Sequence, residues 1–71
     1  MSESCSQIID LLIERRQMLN LTQKQLAEAT GLAQSGIARL EGKKNIPQLD
    51  TIMKVAAALG CDLRLVPNAA D

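Results

Sequence analysis

The chain has 71 residues, with eight Lys and Arg, eight Asp and Glu and no His, so its formal net charge is zero. That length is one domain with a small core, for which association with a second copy is a standing option. Phe, Tyr and Trp are absent, which removes the stacking platforms of single-stranded nucleic-acid recognition, and the lack of His beside two distant cysteines leaves no metal set, cofactor cradle or catalytic pair.

Residues 1–5 read as an N-terminal tail that includes Cys5. From Ser6 to Leu19 the apolar residues Ile8, Ile9, Leu12, Ile13 and Leu19 recur mainly at three- and four-residue steps, which predicts an amphipathic helix ended at Asn20. Thr22 stands at an N-cap position with Gln25 three residues on, the pattern of a capping box opening a second helix with Leu26, Ala27 and Thr30 inward. Gly31 then ends that helix, because a sharp turn into the next one needs a positive φ that glycine adopts cheaply.

At about 100° per residue, a third helix places Ala33, Ile37 and Leu40 on one side and Gln34, Ser35, Ala38 and Arg39 on the other. Three polar hydrogen-bonders and one small residue form a face suited to a groove. Gly36 lies between the two sides and costs about 1 kcal/mol of helix propensity relative to Ala. A loop with Lys43, Lys44 and Asn45 leads through Ile46 and Pro47 to a last helix, whose predicted core stripe is Leu49, Ile52, Met53, Ala56 and Leu59 before the stop at Gly60. Cys61, Leu63 and Leu65 then alternate with Asp62 and Arg64 up to Pro67, a period-2 strand pattern over 61–67 with 68–71 as a tail. Cys61, among apolar neighbours, reads as a small buried hydrophobe.

The even charge balance hides an uneven distribution. Between Arg15 and Asn45 stand six bases, Arg15, Arg16, Lys24, Arg39, Lys43 and Lys44, against two acids, Glu28 and Glu41. A basic segment around a polar helix face favours a polyanion, although ordinary solvated surface produces the same count. No apolar run approaches the roughly 18 residues of a membrane span, and no basic-then-apolar leader opens the chain, so a soluble cytoplasmic protein is expected.

Residues 8 to about 60 resemble the helix-turn-helix domain of the phage repressor and Cro family, also called XRE. The carriers are Leu21-Thr22-Gln23, Leu26-Ala27, Gly31, Gln34-Ser35, Ile37, Leu40-Glu41, Pro47, Leu49, Thr51 and Ala58-Leu59-Gly60. One departure stands in the loop after helix three: many members carry glycine two residues after the glutamate matching Glu41, whereas here Gly42 comes one earlier and Lys43 takes that place. The resemblance implies an all-α, lambda-repressor-like bundle of four to five helices over residues 6–60. It also implies that the helix beginning near Ala33 enters the major groove of duplex DNA with its N-terminal residues at base edges. Gln34, Ser35 and Arg39 are then the expected base contacts, Gln34 matching adenine and Arg39 guanine. Gln23, Lys43, Lys44 and Asn45 are the expected backbone contacts, and Arg16 with Glu41 the expected structural ion pair.

A strand of the length of 61–67 needs a partner, so Leu63 and Leu65 are expected to pair across a homodimer, as a similar strand does among antitoxins of this family. Two-fold symmetry predicts an inverted-repeat operator with half-site centres about 34 to 36 Å apart. The expected function is a non-enzymatic, sequence-specific transcriptional regulator, most simply a repressor. The alternative is an antitoxin whose main task is to bind and neutralise a toxin or another protein partner.

Overall fold

A computed structural model describes residues 1–68, which carry four helices: α1 (Glu3–Met18), α2 (Gln23–Thr30), α3 (Gln34–Glu41) and α4 (Leu49–Ala58). Helix α1 begins three residues before the expected Ser6, because Ser2 serves as its cap and accepts a hydrogen bond from the Cys5 amide at 3.1 Å. Cys5 is therefore a half-buried helical residue rather than part of a tail. The capping box of α2 is formed, with Thr22 Oγ1 accepting from the Gln25 amide at 3.0 Å and Gln25 Oε1 from the Thr22 amide at 2.8 Å.

Three of the four helices end in the same device. At α1, Asn20 takes φ 57° while the Asn20 and Leu21 amides donate back to Gln17 and Arg16. At α4, Gly60 takes φ 72° while the Gly60 and Cys61 amides donate to Ala57 and Ala56. At α3 the left-handed residue is Lys43, φ 56°, with the Lys43 and Lys44 amides donating to Leu40 and Arg39. These are Schellman endings, which satisfy the last helical carbonyls. Gly42, one residue too early, sits at an ordinary φ of −75°, so the position that most needs a glycine's freedom is held by a lysine at a cost of about 1 kcal/mol.

The core draws on every helix: Ile9 and Leu12 from α1, Leu26 and Ala27 from α2, Ile37 and Leu40 from α3, and Ile52, Val55 and Ala56 from α4, with Leu59 at its end. Several expected core positions lie outside it. Leu49 is 65 % exposed and Met53 53 % exposed; the inward face of α4 is 52, 55, 56 and 59, and Leu49 and Met53 stand on the adjacent face. Val55, which the stripe omitted, is buried. Leu19 is an exposed cap residue beyond the last turn of α1, and Ala33 is the exposed N-cap of α3.

The expected strand over 61–67 is not formed: among the described residues no strand occurs, and Leu65 and Val66 are almost fully exposed. A single chain supplies no edge for that segment to pair with, and an unpaired strand leaves its backbone groups to water.

Candidate nucleic-acid interface

Helices α2 and α3 meet through Gly31, whose φ of 74° turns the chain within two residues of the next helix. Thr30 stiffens that corner. Its Oγ1 donates towards Leu26 O (2.9 Å) and Ala27 O (3.1 Å) and accepts from the Leu32 amide at 3.3 Å. With Ile37 and Leu40 anchored in the core, α3 turns Gln34, Ser35, Ala38 and Arg39 to solvent, so the polar face read from the sequence is an exposed face in the fold. The first amides of α3 have no side-chain cap, since Ala33 offers none.

Behind that face, one network ties three helices together. Glu41 Oε2 accepts from Arg16 Nε at 2.7 Å, and Glu41 Oε1 accepts from Arg16 Nη2 at 2.9 Å and Gln23 Nε2 at 3.0 Å. Arg16 Nη1 donates to the Leu21 carbonyl at 2.6 Å. The two charged side chains retain 13 % and 10 % exposure, so the pair is two-pronged, largely dry and hydrogen-bonded beyond itself. Arg16 and Glu41 thus meet as the resemblance implied. Gln23, expected on the DNA backbone, commits its amide nitrogen to this network and fixes the start of α2 against the end of α3.

The basic segment divides into two groups. Arg15 donates from Nε to the Leu59 carbonyl at 2.9 Å, where it closes the C-terminal end of α4. Lys43, expected as a backbone contact, has its Nζ 2.7 Å from Asp10 Oδ1 on α1. Together with Arg16, these are three of the six bases with partners inside the fold. Among the described residues Lys24, Arg39 and Lys44 make no ion pair and are exposed. Asn45 lies against Arg39, its amide oxygen accepting from the guanidinium and its nitrogen donating to the Lys44 carbonyl at 3.0 Å in the orientation that satisfies both groups. That contact holds the loop beside α3.

Gly36 faces an open cleft of about 420 Å³ beside Arg39, Asn45 and Thr51, and a Cβ added there would meet nothing within 4 Å. Its missing side chain serves no internal packing. The helix face, the corner glycine and the basic loop were legible in the sequence. The Arg15 bond to α4 and the Asp10–Lys43 pair were not, because each depends on which side of a helix meets a distant element.

Comparison with known proteins agrees with this geometry. A family model described as helix-turn-helix matches residues 12–66. A Haemophilus influenzae protein described as an uncharacterized HTH-type transcriptional regulator is 45% identical over 60 residues, covering 84% of this chain and 61% of that protein. Antitoxin HigA1 of Mycobacterium tuberculosis is 32% identical over 65 residues, covering 92% of this chain and 44% of its own length. The chain thus spans between about two fifths and three fifths of the curated relatives it matches. A solved chain from a toxin–antitoxin module of Streptococcus pneumoniae superposes with a TM-score of 0.72 at 48% identity, over 84% of this chain and 66% of that one. With the family match across most of its length and the two-helix corner in place, the chain belongs to the XRE-type helix-turn-helix family.

Proposed function

We propose that this chain is a sequence-specific, double-stranded DNA-binding transcriptional regulator that reads an inverted-repeat operator through α3 as a homodimer. The observation that carries the reading is the exposed row Gln34, Ser35, Ala38 and Arg39 on a helix held rigidly from behind. Gln34 suits the N6 and N7 edge of adenine, Arg39 the O6 and N7 edge of guanine, and Ser35 either base. Lys44 and Asn45 are the loop contacts to phosphate, and Gln23 offers the second hydrogen of its amide nitrogen beside the Gln23 and Lys24 backbone amides, which the capping box leaves free. Lys43 reaches phosphate only by leaving Asp10.

A second reading concerns partners. The relatives from toxin–antitoxin systems favour a protein partner as well, in which case repression acts on the operon that encodes the pair. An apolar groove along α1, lined by Ile8, Leu11, Met18 and Leu63, gives such a partner a place away from α3. The two roles coexist on separate faces.

Selection of bound duplexes from a random library by the purified full chain tests the reading. Enrichment of an inverted repeat supports it. Failure to enrich any sequence at moderate salt, alone and with a toxin-like partner added, contradicts it.

A further inference from the structure

The outer side of α4 carries an apolar row that the core does not use. Leu49, Met53 and Ala57 stand at i, i+4 and i+8 and are all exposed, so they share one helix face about 12 Å long. A second row, one residue further on, is charged: Asp50 and Lys54, likewise exposed. Aligned apolar residues bordered by charges mark a contact surface rather than scattered surface hydrophobes.

We propose that this face packs against the same face of a second copy of the chain, the two α4 helices running antiparallel about a two-fold axis level with Met53. The proposal deepens the dimeric reading above and rests on it. An isologous contact must be complementary to itself, and this face is so in both size and charge. In an antiparallel pair, positions equidistant from the axis meet. Met53 faces its own copy, and the large Leu49 faces the small Ala57 of the partner subunit. A two-fold axis perpendicular to both helices leaves the charged rows on one common flank. Asp50 then lies about 3 Å along the helix from the level of Lys54 of the partner subunit, within side-chain reach, and symmetry makes that ion pair twice. An unrelated protein surface would need none of this reversal symmetry. The segment from Cys61 to Arg64 borders the same face beside Met53 and Ala57, so tails extended from two such copies start near one axis.

The test uses the full chain. Antiparallel helices 8–10 Å apart, each with its Cα atoms about 2.3 Å from the axis, bring facing Cα atoms to roughly 3.5–5.5 Å, which reaches the disulfide range towards the wider spacing. With Cys5→Ser and Cys61→Ala as background, Met53→Cys under mild oxidant is expected to convert most of the chain to a covalent dimer, while Lys24→Cys stays monomeric on a denaturing gel. In the otherwise native chain, Asp50→Lys is expected to raise the dimer dissociation constant about tenfold, and Asp50→Lys combined with Lys54→Asp to restore it. That exchange is informative even if the cysteine background fails to fold. A dimer in sedimentation that neither cross-links at 53 nor responds to the exchange overturns this contact and leaves the dimeric reading standing; a monomer at every concentration overturns both.

Discussion

Replacing Glu41 by Ala removes one carboxylate that three donors share. Arg16 keeps its bond to the Leu21 carbonyl but loses its counter-charge in surroundings where only about a tenth of the side chain sees water, and Gln23 loses the acceptor of its amide. Breaking a buried pair by deleting one member typically costs about 3 to 5 kcal/mol. A domain of this size holds roughly 4 to 10 kcal/mol in all, so Glu41→Ala is expected to sit at the edge of folding at 25 °C. With no aromatic residue to report by fluorescence, the measurement is urea unfolding followed by far-ultraviolet circular dichroism. Arg16→Met added to Glu41→Ala should recover part of the loss, because the stranded charge is removed as well. A Glu41→Ala chain within about 0.5 kcal/mol of wild type, a difference typical of surface substitutions, would refute the reasoning.

Two glycines separate strain from space. A Cβ at Gly31 or Gly36 would meet nothing within 4 Å, and only Gly31 has positive φ, so Gly36→Ala is expected to stabilise by up to about 1 kcal/mol and Gly31→Ala to destabilise by about as much, both read by thermal melting. Lys43→Gly relieves the left-handed lysine at the end of α3 and gives up a half-exposed pair to Asp10; the balance of about 1 kcal/mol gained against 0.2–1 lost predicts a chain no less stable than wild type. The basic segment from Arg15 to Asn45 leaves three unpaired bases per copy, so a dimer that meets DNA through these alone neutralises about six phosphates and gives a slope of log affinity against log salt of about −5. A slope near about −8 would mean that further bases meet DNA, either Lys54 and Arg64 outside the segment or Arg15, Arg16 or Lys43 released from its internal partner.

Much of this architecture is visible in the sequence because it rests on local chemistry. Thr22 and Gln25 cap each other within one turn, Gly31 marks a corner, and the polar face of α3 follows from helical periodicity. What the sequence hid depends on angle and distance. In α4 apolar residues occupy two adjacent faces, so periodicity could not tell that Val55 turns inward while Leu49 and Met53 turn outward. The departure at Gly42 and Lys43 was visible as a displaced glycine, but its result, a lysine in the left-handed region tied to Asp10, required the path of the loop. Residues 61–67 have a strand's alternation and, in one chain, no strand to join.

The central claim is that α3 reads base edges through Gln34 and Arg39. Once an operator has been selected, the direct measurement is the affinity of wild type, Gln34→Ala and Arg39→Ala for that operator and for every single-base-pair variant of one half-site. The account predicts that each variant protein loses about 1 to 3 kcal/mol on the operator and loses discrimination at its own base position, an A·T pair for Gln34 and a G·C pair for Arg39, while the other positions keep theirs. A uniform weakening across all sequences, with every preference intact, would place both side chains on the backbone and contradict the claim.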